Sequence, residues 1–123
     1  MILVDTSVWI DHLRSGDQVL AELLEREQVL AHPFVIGELA LGTLRQRETI
    51  LGALQNLPQA IEAENGEVMR FIERESLAGL GIGYIDAHLL AATRLTPDAS
   101  FWTRDRRLAS VAERLSLAAD LKA

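Results

Sequence analysis

Four acidic residues of this chain stand in positions that do not suit an ordinary surface acid. Asp5 follows the apolar run ILV at residues 2–4, and Asp105 follows the run SFWT at residues 100–103. Asp86 lies between IGYI and a mostly apolar segment, and Glu38 lies inside the apolar segment PFVIGELALG. Because acids are rarely buried without a partner, we take these four as candidates for chemistry.

Each of the four also has a simple structural explanation. Asp5, Asp86 and Asp105 lie at or near the start of predicted helices, where aspartate is a favoured capping residue. Glu38 could project from the polar side of its helix, although that helix offers little polar surface. Taken singly, none of these acids requires a functional role.

The elements around these acids predict how they are positioned. Short apolar runs predict strands at 2–4, 28–32 and 100–103, with 117–121 as a possible closing strand. Helical patterns cover 6–14, 17–27, 33–44, 45–57, 64–80, 85–95 and 105–115, with Thr6 or Ser7 as the candidate N-cap of the first and Pro33 opening the third. Helix 85–95 is apolar nearly all round and is predicted to be buried. The alternation predicts one α/β domain over residues 1–123, with a small central parallel sheet flanked by helices.

This topology predicts that the acids meet. The carboxyl ends of parallel strands lie along one edge of a sheet, and ligands bind in the crevice there. Asp5 and Asp105 should share that edge, and Asp86 and Glu38 could join them from neighbouring helices. Two unit charges about 4 Å apart repel by roughly 4 kcal/mol at an effective dielectric near 20, so such a cluster favours a bound cation. Three or four oxygen ligands without cysteine indicate Mg²⁺ or Mn²⁺ rather than zinc.

Composition limits the remaining possibilities. The net charge of −6 argues against a bulk electrostatic nucleic-acid binder. Of the 12 basic residues, all but Lys122 are arginine, whose planar fork can hold phosphate, although a genomic GC bias explains the excess equally well. The absence of cysteine excludes disulfides, zinc–thiolate sites and thiol nucleophiles. With no targeting or membrane-spanning pattern, we expect a cytoplasmic protein with no membrane partner.

Three enzyme or signalling classes are excluded because residues or motifs that they require are missing from this sequence. A haloacid-dehalogenase phosphatase needs a second aspartate two residues after the first, where this chain has Ser7. A receiver domain needs a lysine on a late strand, and Lys122 is the one lysine of the sequence. No phosphate-binding GxxxxGK[ST] loop is present, which excludes a P-loop NTPase.

Four motifs together resemble the PIN domain, and more narrowly the VapC-type toxins of bacterial toxin–antitoxin pairs. They are VDTSVWID, GELALG, GYIDAHLLAAT and FWTRDRRL, in the expected order and spacing from residue 2 to about residue 118. The resemblance implies a three-layer PIN-like fold and a Mg²⁺- or Mn²⁺-dependent endoribonuclease that is the toxic component of such a pair.

The resemblance also implies the roles of individual residues. The catalytic acids are then Asp5, Glu38, Asp86 and Asp105, with Asp5, Asp86 and Asp105 as metal ligands. The expected substrate-binding residues are Thr6, Ser7, Thr103, Arg104 and Arg106. The arginines beside Asp105 could hold backbone phosphates, or could simply form the basic face of the last helix.

The implied partners are an RNA substrate, a cognate antitoxin protein and a second copy of the chain in a homodimer. Two alternatives to the ribonuclease stay open. One is a metal-dependent DNA nuclease of the same fold, because no residue that reads a 2′-hydroxyl is visible. The other is a non-catalytic module whose acids dock a basic partner.

Overall fold

The computed structural model describes residues 1–121 as three strands and seven helices. The strands are β1 (Ile2–Val4), β2 (Val29–Leu30) and β3 (Ser100–Trp102). The helices are α1 (Thr6–Ser15), α2 (Gln18–Glu25), α3 (Pro33–Ala40), α4 (Arg47–Asn56), α5 (Asn65–Arg74), α6 (Tyr84–Leu95) and α7 (Arg106–Arg114). The predicted α/β class, with a small parallel sheet flanked by helices, is confirmed.

The sheet has the order β2-β1-β3, and β1 is parallel to both neighbours. Leu3 is aligned with Leu30 on one side and with Phe101 on the other. The chain leaves β1 toward β2 and later reaches β3 on the opposite side of β1, so the sheet has a topological switch point between β1 and β3. Ligand crevices form at the carboxyl ends of the strands at such points.

Single backbone bridges extend the sheet at both edges. Ala31 pairs with Gln59 beyond β2, and Phe101 pairs with Ala118 beyond β3. The prediction of a closing strand at 117–121 is therefore wrong, since one bridge at Ala118 is formed there instead of a strand. The chain turns sharply after α7, where Ser116 has a φ of +60°, and only the backbone around Ala118 runs alongside β3.

The core lies around the central strand and α6. Leu3, Val4 and Phe101 are buried, as are all seven residues of α6 from 87 to 93. The prediction that this helix is buried is confirmed for residues 87–93, whereas its two ends are exposed at Tyr84, Ile85 and Leu95. The buried Thr93 hydroxyl donates to the Leu89 carbonyl at 2.8 Å. Among residues 1–121, none of the helices has the length and apolar character that a membrane span requires.

Helix ends depart from the predicted ones in two informative places. The helix expected over 64–80 ends at Arg74, because Glu75 and Ser76 leave the helical conformation and Ser76 adopts a φ of +54°. The helix expected over 33–44 begins at Pro33 as predicted but ends at Ala40. Both errors arise where apolar periodicity continues past the point at which the backbone turns.

The central strand should carry a large share of the stability. We expect Leu3→Ala to lower the free energy of unfolding by about 3 kcal/mol, because Leu3 is fully buried between two paired strands. The matched control is Leu41→Ala, since Leu41 is 90% exposed and its truncation should change stability by about 0.5 kcal/mol or less. Urea denaturation measures both, and equal effects would contradict this description of the core.

Candidate active site

Asp5 is the buried centre of the site. It follows β1 directly, its backbone N–H donates to the Trp102 carbonyl of β3 at 2.9 Å, and it is 7% exposed. Although Asp5 occupies the N-cap position of α1, its side chain makes no capping bond. Its Oδ2 instead accepts hydrogen bonds from the Ser7 hydroxyl at 2.9 Å and the Thr103 hydroxyl at 2.7 Å. The carboxylate is therefore fixed by one residue of α1 and by the residue that follows β3.

The hydroxyl residues thus have a role that the sequence did not predict. Thr6 or Ser7 was expected to cap α1, and that prediction is wrong, because Asp5 holds the N-cap position. Both hydroxyls donate to acids: Ser7 to Asp5, and Thr6 to Oε1 of Glu38 at 2.9 Å. Two consecutive residues of α1 therefore orient two different carboxylates.

Asp105 is tied to Asp5 through Thr103. The backbone N–H of Asp105 donates to the Thr103 hydroxyl at 3.1 Å, and that hydroxyl in turn donates to Asp5. The Oδ1 atom of Asp105 accepts the N–H of Leu108 at 3.0 Å, so Asp105 also caps α7. The predicted position beside Asp5 at the carboxyl edge of the sheet is thereby reached.

Asp86 approaches from α6. It lies in the first turn of that helix, and its Oδ2 accepts the N–H of Gly83 at 3.0 Å. Burial raises the pKa of Asp86 above its ordinary value of 3.8, and the charges of Asp5 and Asp105 raise it further, whereas the Gly83 N–H lowers it. Asp86 therefore lies close enough to both Asp5 and Asp105 for their charges to act on it.

The four acids share one pattern of hydrogen bonding. In each, one oxygen is held by a hydroxyl or a backbone N–H, as described above. Among residues 1–121, no donor contacts the second oxygen: Oδ1 of Asp5 and Asp86, Oδ2 of Asp105, and Oε2 of Glu38. Capping and ligand binding are therefore compatible at Asp86 and Asp105, because each use needs a different oxygen. Asp5 is buried and Asp86 is half-buried, whereas Glu38 and Asp105 are exposed.

The donor set fits a hard divalent cation. Glu75, Asp11 and Asp17 form ion pairs, and within residues 1–121 none of the four acids of the site has a basic partner. No three acidic or histidine side chains in that range converge into a ready-made metal cage. Mg²⁺ does not require one, since it usually binds through one or two carboxylates and keeps waters and substrate phosphates as its other ligands.

Arg104 is engaged within the protein rather than directed at open solvent. Its guanidinium forms ion pairs with Asp11 and Asp17 and lies 5.4 Å from the centre of the Trp102 ring. Its backbone N–H donates to the Ser7 hydroxyl at 3.0 Å, which links it to the support of Asp5. Substrate binding by Arg104 stays a prediction, and it would require its guanidinium to exchange these carboxylates for phosphate.

The three histidines serve the fold. Nδ1 of His12 accepts the N–H of Asp17 at 2.9 Å, and Nδ1 of His32 accepts the N–H of Phe34 at 3.0 Å. His88 is buried between the rings of Phe34 and Tyr84. Burial lowers the pKa of both His32 and His88, so both rings are neutral near pH 7.

In parallel α/β domains, ligands bind at the switch point of the sheet, and acidic residues at such a place can hold a catalytic metal ion. The sequence profile of the PIN domain family matches residues 2–114, and the chain belongs to that family. It is also similar to Ribonuclease VapC32 from two strains of Mycobacterium tuberculosis. Each is 50% identical over 108 residues, which cover 88% of this chain and 87% of the relative. The family membership expected from the four motifs is confirmed.

The raised pKa of Asp86 makes stability depend on pH. An acid whose pKa is higher in the folded than in the unfolded chain costs stability as pH rises above its ordinary value of 3.8. In metal-free buffer containing EDTA, we therefore expect Asp86→Asn to raise the thermal unfolding midpoint at pH 7. The gain should vanish near pH 3, where both forms of residue 86 are uncharged.

The control for this measurement is Asp98→Asn, which makes the same chemical change on an exposed aspartate before β3. It should leave the midpoint nearly unchanged at both pH values. A lower midpoint for Asp86→Asn at pH 7 would mean that the folded chain stabilises the Asp86 charge, which burial and the neighbouring acids should instead disfavour.

Proposed function

We propose that this chain is a divalent-metal-dependent endoribonuclease that hydrolyses phosphodiester bonds in RNA as the toxic component of a toxin–antitoxin pair. The observation that carries the proposal is the cluster of acids at the β1–β3 switch point, each with one anchored and one free oxygen. The ribonuclease activity of the VapC32 relatives, stated in their names, supports RNA as the substrate. Dependence on a divalent metal ion is general among PIN ribonucleases.

The proposed metal ligands are Asp5 and Asp86, with Asp105 as a third, and the metal is Mg²⁺ or Mn²⁺. A divalent cation held there would neutralise charge on the scissile phosphate and favour ionisation of the attacking water. The hydroxyls of Ser7 and Thr103 hold Asp5 in one orientation, so its free Oδ1 is fixed before any ligand arrives. Such pre-positioning reduces the reorganisation that binding would otherwise require.

Glu38 is the proposed acid that orients the attacking water. Glu38 is exposed and oriented by Thr6, so its free Oε2 can accept a hydrogen bond from an incoming water. Burial and the charges of Asp5 and Asp105 raise the pKa of Asp86, and a bound cation would keep Asp86 ionised as a ligand. Thr6, Ser7 and Thr103 act in this proposal as positioning residues for the acids, and Arg106 as a phosphate contact.

The proposed protein partners follow from the family and from the uncompensated acids. An antitoxin could insert a basic side chain among carboxylates that have no cation partner within residues 1–121. A second copy of the chain could cover the exposed apolar side chains of Met69, Tyr84, Ile85 and Leu95 on α5 and α6. Both partners stay predictions.

Cleavage of a mixed RNA pool tests the proposed function. Wild-type protein, purified free of antitoxin, should cut RNA in Mn²⁺ and not in EDTA. We expect Asp5→Asn to lower the cleavage rate by about a thousandfold, because it removes the anchored charge at the centre of the site. Asp98→Asn, the same change on an exposed aspartate before β3, should cut at the wild-type rate.

Three outcomes would contradict the proposal in different ways. Equal cutting by Asp5→Asn and wild type would remove Asp5 from the site. Equal or faster cutting of a single-stranded DNA pool would favour the DNA nuclease alternative. No cutting by a folded wild type on any RNA would favour the non-catalytic docking module.

A further inference from the structure

An open cavity of about 320 Å³ lies along one face of α7, the helix that begins directly after Asp105. Half of the residues that line it are arginines and none is acidic: Leu80, Arg106, Arg107, Ser110, Val111 and Arg114. We call it the arginine cavity. A concentration of positive charge at one place is unusual for a chain whose net charge is −6.

The arginines of this cavity are not engaged in ion pairs. Within residues 1–121 the ion pairs engage Arg94 and Arg104, so Arg106, Arg107 and Arg114 have no carboxylate within 4.0 Å. A group of cations without counter-charges creates a local positive potential that attracts anions. The charge of the arginine cavity therefore favours an anion as its ligand.

Two of these arginines are also held in place by backbone. A methyl group on Gly81 would lie 2.6 Å from Nη1 and 2.8 Å from Cδ of Arg107, so this side chain packs directly against the glycine. Gly81 has a φ of +80°, a conformation that side chains other than glycine rarely adopt. Nη2 of Arg114 donates to the Glu75 carbonyl at 2.6 Å. Backbone contacts position both guanidinium groups without neutralising them.

The position of the cavity connects it to the acids. Arg106 directly follows Asp105 at the start of α7, and Arg114 is the last residue of that helix. With a rise of about 1.5 Å per residue, the two arginines are separated by roughly 12 Å along the helix axis. Phosphates rise by about 3.4 Å per nucleotide along a duplex strand, so the cavity is long enough for several of them.

We propose that the arginine cavity binds backbone phosphates of the RNA strand on one side of the scissile bond. This inference rests on the RNA-cleaving function proposed above and assigns a second contact of that substrate. The metal proposed at the acid cluster would neutralise charge only at the scissile phosphate, and the arginines of α7 would add contacts to neighbouring phosphates. The cavity is open, and its lining residues run from the first to the last turn of α7, which suits a chain that passes along the helix better than a small enclosed anion.

Binding of a labelled single-stranded RNA pool tests the proposal, with Asp5→Asn as the background so that RNA is not cut. In this background we compare Arg106→Gln/Arg107→Gln with the matched pair Arg26→Gln/Arg70→Gln. All four arginines are exposed, and both pairs change the net charge equally. Fluorescence anisotropy gives the Kd, and a salt series gives the slope of log Kd against log salt.

We expect the cavity pair to raise the Kd at least about tenfold through loss of charge-assisted contacts. Its salt slope should fall by about 1.4, the value for two phosphate contacts of a single strand. The control pair should raise the Kd by about twofold or less, since it alters only the screened long-range field. RNA binding that persists in excess inorganic phosphate at fixed ionic strength would support a polymer site.

The contrary outcomes are distinct. An unchanged Kd in the cavity pair, or equal losses in both pairs, overturns the proposal. Loss of all binding in millimolar phosphate would assign the cavity to free phosphate or a nucleotide instead. If wild type cuts RNA but the cavity pair binds normally, this inference fails alone. If wild type does not cut RNA, the proposed function fails, whatever the binding result.

Discussion

The parallel pairing of β1 with β3 is the interaction on which the candidate site depends. It joins positions 98 residues apart in the chain, and the hydrogen bond from Thr103 to Asp5 closes the carboxyl end of this pair. The burial of Leu3 and Phe101 fixes the pairing energetically, because a one-residue register shift would turn the buried side chains of the shifted strand out of the core. The position of the acids is thus a consequence of how the core packs.

Holding several carboxylates close together is electrostatically unfavourable, and the packing of the rest of the fold must offset that free energy. Burial and the charges of Asp5 and Asp105 raise the pKa of Asp86, and within residues 1–121 no basic side chain forms an ion pair with any of the three acids. Each acid is retained by a local bond through one oxygen, so the structure tolerates the repulsion while the other oxygen stays available. Nearby charge of the opposite sign is present, but Arg104 is directed to Asp11 and Asp17. Such an arrangement favours a cation supplied from outside.

The sequence predicted the elements better than the bonds between them. The apolar run at 2–4, Pro33 and the buried character of α6 are local signals, and each led to the observed element. The roles of the hydroxyls could not be predicted, because Thr6 bonds a residue 32 positions away and Thr103 one 98 positions away. The ion pairs of Arg104 likewise depend on where α1 and α2 lie in space. Local patterns indicate caps, and only tertiary structure shows which oxygen remains free.

Calorimetric titration of Mn²⁺ into metal-free protein tests the central claim, that anchored and uncompensated acids at the β1–β3 edge hold a divalent cation. Wild type and Asp98→Asn should bind Mn²⁺ with the same affinity. Asp5→Asn should bind about a hundredfold more weakly or not at all, since loss of even an indirect metal contact costs about 10- to 100-fold. Equal Mn²⁺ binding by Asp5→Asn and wild type, or no binding by either, would contradict this claim.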